Sequence, residues 1–176
     1  MFQLPPIPSW DALHPIVVHF PIALLLFVPV FVALGVCVPR WRVAMWSAAF
    51  VTLLAGVVFA FVATSTGDAA EKFAEGSPAV DRLVHEHEEL AEKARNAFVV
   101  LVPMLGALLV WAWRGKSAKR WPLVLAGVVY LALHSGASLI LANAAHQGGL
   151  LVHAYGVRAD IKAPPLPVFD ESIDED

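Results

Sequence analysis

Histidine is the residue in this chain best suited to chemistry, and its seven copies are not scattered. His14, His19, His85, His87, His146 and His153 lie near the ends of hydrophobic segments expected to emerge on one side of a membrane; His134 sits inside such a segment. Neutral imidazole offers a lone pair to zinc, copper, iron or nickel, and a carboxylate such as Asp68 can complete a ligand set. Spacing supplies no local motif: His85-Glu86-His87 places its imidazoles two residues apart on different helix faces, unlike His-Glu-x-x-His. Ser65, Ser135 and Ser138 have no assignable histidine and acid beside them, which argues against hydrolysis. The lone Cys37 excludes an intrachain disulfide and a Cys-x-x-Cys-His site, so any haem would be non-covalent.

The elements that must position these histidines are membrane helices. The chain is 59% hydrophobic and 15% charged, with a mean hydropathy of +0.68, more apolar than a soluble domain. Four stretches, 15–38, 43–63, 97–113 and 121–144, approach or exceed the roughly 20 helical residues that cross a bilayer core. They lack the alternation of barrel strands, and open sheet edges do not survive in lipid. The expected fold is an all-α integral membrane protein, a four-transmembrane-helix bundle. Residues 13–157 form the bundle, 1–12 an outer N-terminal segment, and 158–176 a Pro-rich, acidic, extended tail. No internal repeat is visible, and no basic stripe suggests nucleic acid.

Charge sets the orientation. Arg40 and Arg42 fall between the first two spans, and Arg114, Lys116, Lys119 and Arg120 between the last two, with no acid in either link. Both links are therefore expected in the cytoplasm. The segment 65–96 holds four basic residues against eight acids, and the tail ends in acids, so these belong outside with both termini, as in a multi-pass protein of a bacterial inner membrane. Trp10, Trp41, Trp111, Trp113 and Trp121 flank the spans as interfacial anchors. Gly76-Ser77-Pro78 marks a helix start outside the membrane, with Ser77 as cap. From there Val80, Val84, His87, Ala91, Ala94 and Phe98 form an apolar stripe, so His87 faces the bundle while His85, with Glu89, Glu92 and Asn96, faces water. The third span thus has a helical extension, and Pro103 is a candidate kink within it.

Measured from the cytoplasmic ends at about 1.5 Å per residue, His14 falls at ~37 Å, Asp68 at ~39 Å, His87 at ~40 Å and His146 at ~39 Å. One candidate from each helix reaches a common level, and the four form an expected site for a first-row transition metal. His19, at ~30 Å, and His134, at ~21 Å, lie deeper. His19 shares a helical face with Ala23, Leu26, Ala33 and Cys37 that would suit a close helix contact. An ionisable group at that depth is a functional candidate. His134, near Ser135 and Ser138, is equally suited to bonding across the bundle or to ligation.

The runs Leu13-His14-Pro15-Ile16-Val17-Val18-His19-Phe20-Pro21-Ile22-Ala23-Leu24 and Gly148-Gly149-Leu150-Leu151-Val152-His153-Ala154-Tyr155-Gly156-Val157 resemble the two ends of a bacterial membrane family called domain of unknown function 2231. A Thr66-Gly67-Asp68 turn and His87-Glu88 resemble it too, and the likeness spans residues 13 to 157. His153 stands where many members carry tyrosine. Members are similar to domains joined to cytochrome c or Rieske modules, which implies a place near electron transfer. Three readings follow. The first is a redox protein binding haem b through His14, His19 and His87, with a cytochrome c or Rieske-type partner. The second is a metal-handling protein using His14, Asp68, His87 and His146. The third is an anchor or assembly subunit without cofactor.

Reporter fusions test the orientation. A fusion to the C-terminal tail should be active only in the periplasm or cell exterior, and one in the Arg40 link only in the cytoplasm; cytoplasmic activity of the tail fusion would overturn the assignment.

Overall fold

The computed structural model describes residues 8–71, 77–115 and 120–157, and all regular structure among them is helical. Four helices are long and apolar enough to span a membrane: α1, Asp11–Cys37; α2, Arg42–Glu71; α3, Pro78–Arg114; and α4, Arg120–His153. The expected four-helix membrane fold is therefore present. The acidic tail after residue 157 lies outside the described residues.

Local chemistry explains the helix boundaries. Ser77 caps α3 by accepting from the Val80 N–H at 3.4 Å, and Pro78 follows where its missing N–H costs nothing. In α1 the pattern breaks at Val18, between His14–Val17 and His19–Cys37. Pro21 explains the break, because it cannot donate to the Val17 carbonyl four residues earlier. Pro103 does not interrupt α3, which continues to Arg114. Thr66-Gly67-Asp68 is not a turn, since α2 runs through it to Glu71. After α4, Gly156 takes a positive φ of 70° and turns the chain back. The Val157 N–H then reaches the Leu151 carbonyl at 3.0 Å, and Val157 packs on Val80, Val84 and Leu151.

The helices form a ring in which α1 packs on α2, α2 on α3, α3 on α4, and α4 on α1; α1 and α3 are diagonal. Packing within the α1–α2 and α3–α4 hairpins exceeds packing between them. One core joins all four, with Leu25, Val28 and Val32 from α1, Leu53 and Val57 from α2, Phe98 and Leu105 from α3, and Tyr130 from α4. Val51, Phe61, Val100 and Leu139 are exposed on the outer faces. Helices that are apolar on both sides belong in lipid. Small residues allow the close contacts. A Cβ on Gly56 would sit 2.6 Å from Leu25, and one on Gly35 would collide with Trp46. Trp46, unlike the five flanking tryptophans, is fully buried and donates to the Val32 carbonyl at 3.1 Å.

His134 is the most buried histidine, at 0% exposure, and its bonds follow from a proline. Pro29 has no N–H, so the Leu25 carbonyl four residues earlier lacks its ordinary donor. His134 Nε2–H supplies that bond at 2.9 Å, and Tyr130 O–H donates to Nδ1 at 3.4 Å. Both ring nitrogens are engaged. His134 thus takes the role of bonding across the bundle. Likewise Pro39 cannot donate to the Gly35 carbonyl, and Arg42 Nε does so at 3.0 Å.

Replacing His134 should therefore be costly in proportion to the bond it completes. We predict that His134→Ala destabilises the detergent-solubilised protein by roughly 1–3 kcal/mol, and that the same change costs less in a Pro29→Ala background, where residue 29 regains its donor. A denaturation double-mutant cycle with no coupling would contradict this account.

Candidate functional site

At the end of the bundle opposite Arg42 and Arg114, two imidazoles from diagonal helices meet. His14 of α1 and His87 of α3 have ring centres 6.5 Å apart, with planes at 81°. His14 lies in the first turns of α1, after the 3-10 turn Asp11–Leu13 and just before Pro15, and His87 lies on the buried stripe of α3 between Val84 and Ala94. Both rings are half-buried. The stripe expected of α3 is present, and His85, Glu89, Glu92 and Asn96 are exposed on its other side.

Each ring is held by a neighbouring helix in the same way. His14 Nδ1–H donates to the Ala63 carbonyl of α2 at 3.0 Å, and His87 Nδ1–H donates to the Ala144 carbonyl of α4 at 2.9 Å. A carbonyl can only accept, so the proton of each neutral imidazole is on Nδ1 and the lone pair is on Nε2. Thr66 Oγ1 lies 3.2 Å from His14 Nδ1 and itself donates to Ala63 at 2.9 Å, which fixes this grip further. Four residues after each accepting alanine stands a glycine against the ring. A Cβ on Gly67 would lie 3.1 Å from His14 Cε1, and one on Gly148 would lie 3.0 Å from His87 Cε1. No hydrogen bond to either Nε2 is found among the described residues.

Carboxylates crowd the same end. Asp68 interacts electrostatically with His14. Glu88 approaches Glu71, with Asp68 and His85 close enough to contribute to its field. Glu86 accepts from Gln147 Nε2 at 3.4 Å. Below them Arg95 ties α3 to α2, donating to Thr64 Oγ1 at 3.0 Å and lying over the Phe61 ring.

The family model described as a predicted membrane protein, DUF2231, matches residues 10–160. The chain belongs to this family. No curated protein and no solved structure matches it. The runs that carry the DUF2231 resemblance have physical roles here: His14 and Gly148 build the pair, and Gly156 with Val157 closes the end of α4.

Four residues had been expected at one level, and the structure gathers them in part. His14 and His87 meet, and Asp68 is close to His14 yet exposed. His146 is exposed on α4, two residues beyond buried Ala144 and so about 200° around the helix from it. Among the described residues no three of His, Cys, Asp and Glu are grouped to hold a metal ion. His19 also lies apart from the pair. Its expected contact face is largely unpacked within the chain, since His19, Ala23, Leu26 and Cys37 are exposed and only Ala33 is half-buried. Five residues along a helix turn the side chain about 140°, so His19 and His14 cannot share a direction. The sequence pattern gave no sign of Ala63 and Ala144, and it read Gly67 and Gly148 only as features of resemblance. The two Ala-x-x-x-Gly grips also form an internal correspondence between the hairpins that sequence comparison alone does not reveal.

Proposed function

We propose that this protein is a membrane-embedded redox protein that holds haem b between His14 and His87 and passes electrons to or from a partner. The observation that carries the reading is a pair of imidazoles from diagonal helices, with no hydrogen bond to either Nε2 among the described residues. Ring centres 6.5 Å apart bring the two imidazoles close enough for both to take part in holding one group. Two protein ligands suffice for an iron whose other four positions are filled by a porphyrin, whereas a bare ion takes three or four. Bound haem would supply one-electron chemistry, tuned by its axial imidazoles and their hydrogen bonds. His14 and His87 would hold it, and the Ala63 and Ala144 carbonyls would orient their rings.

The basic links support a cytoplasmic location for the Arg42 and Arg114 end, and so an outer location for the pair in a bacterial inner membrane. Exposed Asp68, Glu71, Asp81, Glu86, Glu89 and Glu92 give that end a negative field. Such a field favours a partner with a basic docking face, and a cytochrome c or Rieske-type protein is the redox partner we infer. The carboxylates Asp68, Glu71 and Glu88 beside the pair favour a second reading, a transition-metal ion held by the same imidazoles after a local rearrangement.

Absorption spectroscopy with metal analysis on membrane-extracted protein separates these readings. We predict a Soret band that is lost in His14→Ala and His87→Ala and retained in His19→Ala and His85→Ala. Because only neutral imidazole binds and burial holds the His87 imidazole below the usual histidine range, affinity should be kept through about 6.5 and fall only at lower pH. A protein that takes up no haem yet binds stoichiometric metal would replace the first reading with the second, and equal effects of His85→Ala and His87→Ala would contradict both.

A further inference from the structure

The two histidine grips differ from ordinary helix contacts in one respect: each ring lies flush on a glycine that has no other evident duty. Gly67 and Gly148 both lie inside helices without positive φ, and glycine in a helix interior costs about 1 kcal/mol relative to alanine. Each follows the accepting alanine by four residues, which places it one turn further along the same face. The three atoms nearest a Cβ built on Gly67 all belong to the His14 ring, at 3.1, 3.4 and 3.8 Å. For Gly148 all three belong to the His87 ring, at 3.0, 3.5 and 3.6 Å. Gly149, the next residue, would meet nothing within 4 Å.

We infer that Gly67 and Gly148 are positioning residues, each setting the tilt at which one imidazole presents Nε2 to the shared space. Each hairpin thereby carries a complete half-site: a histidine on its first helix, and on its second an alanine carbonyl followed one turn later by glycine. A methyl group at either glycine pushes the ring by a few tenths of an ångström, and the Nδ1–H bond to the alanine carbonyl lengthens as the ring lifts. The effect is local to one hairpin, because Gly67 touches His14 and Gly148 touches His87.

The functional consequence rests on the redox reading above, but the geometry can be tested without a cofactor. In protein labelled with ¹⁵N-histidine, Gly148→Ala should shift the ring nitrogens of His87 and leave those of His14 in place. Gly67→Ala should do the reverse, and Gly149→Ala should move neither. In haem titrations Gly67→Ala and Gly148→Ala should each weaken binding about 10–100-fold, the range typical for removing support behind a metal ligand, while Gly149→Ala stays within about twofold. Unchanged ring nitrogens in both variants, or equal shifts in Gly148→Ala and Gly149→Ala, overturn the inference. Should Gly148→Ala fail to fold, His87→Ala/Gly148→Ala must restore folding by removing the ring the methyl meets, and failure to do so also overturns it. Wild-type protein that takes up no haem while the nitrogen shifts appear as described rejects the redox reading and leaves the positioning role intact.

Discussion

The hydrogen bond from an imidazole N–H to a helix carbonyl is the interaction on which the arrangement of this molecule depends. It occurs three times among the described residues, at Ala63, Ala144 and Leu25. Around buried His134 no water competes for these groups, so a carbonyl or a ring nitrogen left alone there is costly. The same bond has different results at different depths. His134 donates through Nε2 and accepts from Tyr130 through Nδ1, which leaves no lone pair for a ligand. His14 and His87 donate through Nδ1, which leaves Nε2 free at the acidic end. Which nitrogen the carbonyl occupies therefore separates the structural histidine from the two that can hold something.

The packing carries this choice to the site. Within each hairpin the second helix supplies both the carbonyl and the glycine that hold the first helix's histidine. The two held imidazoles come from the diagonal helices α1 and α3 and meet with ring centres 6.5 Å apart. A ligand shared between them would tie together two hairpins that pack less extensively on each other than within themselves. The buried Trp46, set against Gly35 and Gly127, joins the hairpins at the opposite end, where a Cβ on Gly127 would come within 3.2 Å of its ring.

The four spans and the Ser77 cap were legible in the sequence, because span length and capping depend on local residues alone. Direction around the axis was legible only where one face is polar. The α3 extension has such a face, so Val80, Val84 and His87 were assigned correctly. Within lipid both faces are apolar, and small residues near His19 suggested a contact that lies on the exposed side. The Leu25–His134 bond was invisible for a different reason. It joins residues 109 apart, and its cause, the missing N–H of Pro29, acts on a carbonyl four positions away.

The central proposal is that His14 and His87, whose ring planes lie at 81°, would together hold a haem. Electron paramagnetic resonance of the ferric haem-loaded protein tests it most directly, since an iron that both imidazoles held would be low-spin. The account predicts a low-spin signal in the wild type and its conversion to high spin when either histidine is replaced by alanine. A high-spin wild-type spectrum, or a low-spin signal that survives the loss of His14 or His87, would contradict it.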